Sequence, residues 1–502
     1  MPQLRFLLSL LAFSVWILIV IAPVPADESQ VKQIRQWLDS QNQTLSPDVV
    51  IGGKQAFQNN CTQCHDTSRA LEKHKDLHGW RSMVRRMARK RDANIPPKDF
   101  EPIAIYLAWA AGPQSAADTG DLHSTNVAAA NQNGFSGGQL ELDATLSSVW
   151  RTSPNHNDEL ENSGFFPETW FGGEWHSNTS PMRFRIQACL TCHRQGTDAN
   201  RLEWVEAVAI LDLNKAFGTD LPGSKASLQA GRFIVPFGGF AQQSHPAVFR
   251  TVTKPLMFNM GQSVSRDEIG PALLPMPYSD EGVMLNLSFV LSEDITATVE
   301  PYLVNGLQGG TSGIDFFQSR SLSDNNAEPA YGGRVTLGSS NVRLGGSYMA
   351  GRLNDDSGTG IFDRQLDYEL IGADLSYRHQ DIARLQVEYA VRNSERFLFS
   401  PAILPDDERI EGINVEGELR LSAKPRVSLV GRYDRIDRER PPSGSLITDA
   451  DFDVSRITWG FNISLPGGST LQINHEHWLM PDELNDVDVI AIRWVGTFSS
   501  VH

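Results

Sequence analysis

All four cysteines of this 502-residue chain fall in two five-residue groups, Cys61-Thr62-Gln63-Cys64-His65 and Cys189-Leu190-Thr191-Cys192-His193. The spacing carries a chemistry. Two thiols three positions apart can reach the two vinyl groups of one porphyrin, and the next residue offers an imidazole nitrogen to the iron. C-x-x-C-H is therefore the attachment pattern of a c-type haem. A disulfide or half a zinc site uses the same thiols, but neither asks for a histidine directly after the second cysteine. The expectation is two covalent haems c, and hence iron. Cys61, Cys64, Cys189 and Cys192 would hold the porphyrins, with His65 and His193 as proximal ligands. No cysteine is left over for a structural disulfide.

The elements around the first group are helical. Val31, Ile34 and Leu38 recur at helical spacing, and 53–60 reads as a helix carrying Cys61. Trp80, Met83, Val84 and Met87 share one face of a basic helix, and Phe100, Ile103, Tyr106 and Leu107 one face of a closing helix. The stretch 52–111 resembles a class I c-type cytochrome domain. The matched features are the pentad, Trp80 followed by Met87, and a last helix ending in Tyr106-Leu107-Ala108. That resemblance implies His65 as the proximal ligand and a methionine sulfur as the distal one, with Met87 fitting the spacing better than Met83. A thioether ligand raises the potential, which suits electron transfer. Arg81, Arg85, Arg86, Arg89, Lys90 and Arg91 make the same stretch basic. They read as a solvated face, or as a dock for an acidic redox partner.

After a linker at 113–136, rich in Ala, Asn, Ser and Gly, the period changes to two. Val283, Leu285, Leu287, Phe289 and Leu291 alternate with polar residues, as do Leu385, Val387, Tyr389 and Val391. The opposite faces carry Arg384, Gln386, Glu388 and Arg392, or Asn414, Glu416, Glu418 and Arg420. Short turns at 292–294, 338–341, 379–382, 423–425 and 466–468 alternate with long polar segments at 307–329, 354–365, 393–412 and 435–454. That asymmetry is the signature of a bacterial outer-membrane barrel. The segments 206–213 and 231–238, His245-Pro246 and Lys254-Pro255-Leu256 resemble an outer-membrane porin-type family over about 137–498. The chain departs from that family where a haem pentad stands before the Glu206 strand.

The fold expected is a small all-α cytochrome domain at 27–112 followed by an all-β antiparallel transmembrane barrel at 137–498, of about 14 strands. The even number returns both barrel ends to the periplasmic side. In that register the second pentad lies in a loop, 151–201, between the first two strands. If 183–187 is itself a strand, the count shifts and the haem moves. His176, Met182 and His245 are the candidates for its distal ligand, with His156 a further choice. His245 belongs to the long 238–281 loop, which could fold inward.

The address agrees with this reading. Arg5, an apolar run at 6–21 and Val24-Pro25-Ala26 read as a cleaved export signal over 1–26, with an uncleaved membrane anchor as the alternative. A net charge of −16 argues against nucleic acid. The partners expected are periplasmic redox proteins and outer-membrane lipid, with the cytochrome domain in the periplasm. The leading function is electron transfer between the periplasm and the barrel or outer surface. The alternative is a solute porin whose haem groups are structural or regulatory. A haem peroxidase-type enzyme comes third, because no reactive constellation beside an open haem position is visible.

Overall fold

The computed structural model describes residues 32, 34–38, 46–61, 77–88, 95–111, 138–155, 164–177, 180–191, 202–218, 224–258 and 272–399, then 403–439, 452–465, 469–481 and 485–501. Within these spans 242, 244, 276, 293, 311–312, 323, 325, 355–365, 381 and 424 are excepted. The export signal, the linker, Cys64, His65, His156, Cys192 and His193 lie outside the described residues.

Among the described residues the first unit holds α1, Pro47–Asn60; α2, Leu77–Met87; and α3, Phe100–Ala110, beside a helical stretch at 34–38. Ser46 caps α1 by accepting the Asp48 N–H, and Pro47 takes the first turn, where a missing N–H costs nothing. Helix α1 crosses α3 at Gly53. A Cβ there would lie 2.0 Å from the Pro102 carbonyl oxygen, so only glycine allows this approach. Phe57 and Tyr106 then meet at 5.5 Å, and Trp80, Val84, Ile103 and Leu107 complete a buried core.

The second unit is a closed antiparallel barrel of sixteen strands. They are β1 Gly138–Thr152, β2 Gly164–Ser177, β3 Met182–Leu190, β4 Leu202–Asp212, β5 Ser224–Ile234, β6 Ser279–Val290, β7 Thr296–Val304 and β8 Ala330–Gly338. The remainder are β9 Val342–Arg352, β10 Asp367–His379, β11 Ala383–Phe399, β12 Ile403–Ala423, β13 Arg426–Arg438, β14 Phe452–Leu465, β15 Ser469–Leu479 and β16 Val487–Val501. Each strand pairs with its sequence neighbour, and β1 closes on β16, with Thr145 opposite Thr497.

The expected count of fourteen is corrected by two. The segment 164–190, read as loop, is the hairpin β2–β3. Pro167 within β2, the pair Gly172-Gly173 and aromatic residues on both faces hide the period of two in that strand. Of the 393–412 segment, read as a long loop, 393–399 and 403–412 are strand. Strands β11 and β12 extend past the neighbouring strands and remain paired up to Phe399 opposite Ile403. The five short turns fall between strands as read, and the even number still brings both barrel ends to one side.

The surface is inverted relative to a soluble protein. Leu142, Phe184, Ile186, Val283, Leu303, Ile371, Trp459 and Phe498 point outward and are exposed, whereas Glu388, Arg392, Asn414, Asp434 and Glu476 point inward and are fully buried. An apolar outside and a largely polar inside are what a barrel needs to lie in lipid.

Candidate functional site

The lumen is not an open tube. After β5 the chain turns inward at Gly238, whose φ is +71° and where a Cβ would fall 1.7 Å from Glu388 Oε1. The described parts of 235–278 then cross the lumen, bonded to wall strand after wall strand. The Phe240 N–H donates to Glu388 at 2.9 Å, and the Val252 N–H to Asn474 at 2.6 Å. Wall side chains reach back to loop carbonyls: Gln472 to Phe249, Arg432 to Thr253, and Arg392 to Ala272 and Leu273. Phe240 stacks on Phe249 and Phe258 with centroids 5.6 and 5.8 Å apart. With Leu256, Met257, Leu273 and Leu274 they form a dry core against Ile410, Ile436, Val454 and Trp478 of the wall. Burying such side chains is worth roughly 1.5–3 kcal/mol each, so the loop is a fixed filling of the barrel. The inward folding foreseen for the 238–281 loop is what the structure shows.

Beneath the loop the wall charges neutralise one another. Arg334 holds Asp374 through two bonds, of 2.7 and 2.9 Å. Asp434 bridges Arg432 at 2.6 Å and Arg456 at 3.1 Å, and Arg456 reaches Glu476 at 3.5 Å. Removing one partner of such a pair would leave a buried charge and typically costs about 3–5 kcal/mol.

Cys189 stands on this inner wall. It pairs across the ladder with Trp170, and Trp170 with Thr145, halfway along β1. A bulge between Gln187 and Ala188 resets the alternation of β3 just before it. The second pentad therefore begins within the wall, on the third strand, and the expected place between the first two strands is corrected. Cys189, Trp170 and Val205 form a buried cluster flanked by Ile234. His245, carried in by the lumenal loop, sets its ring edge-on to Trp170 at 5.2 Å. Trp170 Nε1 donates to Glu168, which in turn pairs with Arg493 at 3.3 Å.

The distal candidates separate on this geometry. His176 is six residues from Trp170 along β2, and Met182 seven from Cys189 along β3, about 20 Å or more at the rise of a strand. His245 is brought to the Cys189 cluster. Cys189 is disulfide-bonded, with its partner outside the described residues. A c-type haem would take the same sulfur as a thioether in place of that disulfide.

In the helical unit Cys61 caps α1, its N–H donating to the Phe57 carbonyl at 2.9 Å. Cys61, Met83 and Met87 all pack against the helical core, which does not choose between the two sulfur candidates. Trp80 is buried, and its Nε1 finds no acceptor among the described residues. A buried indole N–H with no described acceptor fits a group that brings its own, as a haem propionate does. Arg81 pairs with Glu101 and Arg85 is exposed.

Sequence reasoning missed Trp170, Glu168 and Arg493 as parts of the Cys189 site. Their signal lies in cross-strand register, which a linear pattern does not carry.

No protein-family model matches the chain, and no curated protein matches it. Among solved structures it is similar to the outer-membrane channel DcaP of Acinetobacter baumannii, at 9% identity over 73% of this chain and 99% of that one, TM-score 0.48. An anion-selective porin from Comamonas acidovorans follows at 10% identity, over 72% and 98%, TM-score 0.46. The Salmonella typhi OmpF complex with daunomycin matches at 14%, over 72% and 97%, TM-score 0.44. At these scores and identities the likeness adds nothing to the strand order above.

Proposed function

We propose that the chain is an outer-membrane barrel carrying two haems c and serving electron transfer between the periplasm and the barrel. The observation that supports this is Cys189 on the inner wall, with an indole and an imidazole gathered beside it. Haem c, when bound, supplies a one-electron iron couple. The chain's own residues would do the rest. Cys189 and Cys192 would hold the group, and His193 would stand as proximal donor. Trp170 and Val205 exclude water from the site, and Glu168, itself paired to Arg493, fixes the indole. In the helical unit Cys61, Cys64 and His65 would play the same parts, with Met87 offering the sulfur.

The test is haem staining of the outer-membrane fraction with stoichiometry on the same band. Two haems per chain are expected, and His245→Ala should change the optical spectrum of the barrel haem while leaving the count at two. A band without covalent haem would defeat the proposal.

A second reading has its own support. A closed sixteen-stranded barrel with an ion-paired inner wall is channel architecture, and taken alone it supports a solute porin, its haem groups structural or regulatory, more directly than it supports an electron route. The two readings part on whether electrons or solutes use the barrel.

A further inference from the structure

The helical unit and the barrel meet through polar contacts at the barrel end that carries the short turns. On the barrel side, Lys225 is the second residue of β5, and Asp294 stands in the turn between β6 and β7. Strands β5 and β6 are paired, with Lys225 opposite Ser288, and β6 enters the turn at Val290, opposite Thr296 of β7. The two residues therefore share one stretch of rim. On the helical side, Lys98 belongs to the short turn Pro97–Asp99 that leads into α3, and Ala88 follows the last residue of α2. Lys98 Nζ lies 2.9 Å from Asp294 Oδ1, and Lys225 Nζ donates to the Ala88 carbonyl at 3.4 Å. The second contact sets a cation at the carbonyl end of a helix, where the helix dipole favours one. Each side thus supplies one lysine, and each lysine finds an acceptor on the other side.

We propose that this stretch of rim is a docking surface for the helical unit of the same chain, and that the docking is reversible. The chemistry of the junction carries the second half of that statement. The Lys98 side chain is 45% exposed and that of Asp294 79%, and ion pairs so open to water hold little and are screened by salt. The buried apolar clusters do not span the junction. That of the helical unit runs from Ile34 to Ala111 and that of the filled barrel from Val208 to Val489, and neither includes a residue of the other. A permanent joint is the kind that buries apolar surface, as obligate interfaces do. Strand β1 starts at the same end, so the linker read at 113–136 joins the unit to the rim on which it docks. The unit then has two positions, seated on the rim and released from it, with release favoured by salt. The proposal does not depend on the haem reading.

The test is zero-length cross-linking of the purified full chain in detergent with a water-soluble carbodiimide, which joins a lysine to a carboxylate only where the two touch. Peptide mass spectrometry of the monomer band reads the initial rate of the Lys98–Asp294 link. The link is expected at low salt, and its rate should fall severalfold at about 1 M sodium chloride, where the screening length is about 3 Å. Asp294→Asn and Lys98→Asp should each lose it, and the swapped pair Lys98→Asp/Asp294→Lys should regain it. Lys225→Gln alters neither residue of the pair, so a severalfold slower link in that variant reads the docking surface as a whole. Heat-modified gel mobility checks that each variant keeps its barrel. Absence of the link in the wild type overturns the docking. A rate unchanged by salt, or unchanged by Lys225→Gln in a folded barrel, overturns the reversible two-point surface.

Discussion

Changing Cys61 and Cys64 to alanine is expected to halve the covalent haem of the mature chain, and changing Cys189 and Cys192 to remove the other half. The reason is chemical: each pentad holds both thiols that one porphyrin needs, and the chain has no other cysteine to substitute for them. The intact mass of each variant reads the result directly. It also separates thioether from disulfide at Cys189, because a disulfide removes two hydrogens where a haem adds its whole mass. The barrel should survive the second change. Cys189 packs against Trp170 and Val205 at one point of the wall, and losing one sulfur there is a modest cavity beside sixteen paired strands. Two haems in either double variant would remove the assignment altogether.

Replacing residues 239–274 by a short Gly-Ser bridge is expected to raise the single-channel conductance several-fold. In the native chain that stretch lays Phe240, Phe249, Met257, Phe258 and Leu273 across the lumen. A barrel of this strand number leaves an aqueous channel when nothing fills it. Water would then reach Glu388, Arg432 and Arg456, whose charges are now covered, so the wall would lose loop contacts but not solvation. Planar-bilayer recordings check the outcome. Equal conductance with and without the loop would show that ions follow a path the loop does not occupy.

How much of this could be read in the sequence follows from where periodicity survives. Strands such as β6, with Val283, Leu285, Leu287 and Phe289 on one face and Asn286 and Ser288 on the other, show a plain alternation. Strand β2 is obscured by Pro167, Gly172 and Gly173. At Gly172 a Cβ would lie 2.6 Å from the Ile186 carbonyl, so the residue there answers to its neighbour on β3 and not to a lipid-facing pattern. The described parts of the lumenal loop carry no period because they form neither a long helix nor a strand, and only the loop's length pointed inward. Of the site, the cysteines were legible because their spacing is local. His245 could be named but not chosen until the loop's path placed it against Trp170. Lys98 and Asp294, far apart in the sequence, meet only once the fold is known.

The central claim is that this barrel serves electrons through a haem held on its inner wall, and one measurement tests it most directly. The full chain is reconstituted in liposomes enclosing a reductant, and an acceptor that cannot cross the membrane is added outside. Wild type should reduce the external acceptor, and Cys189→Ala/Cys192→Ala should lose that activity while its barrel stays folded and inserted. If the double variant passes electrons as fast as wild type, the electron-transfer account is contradicted, and the solute channel takes its place.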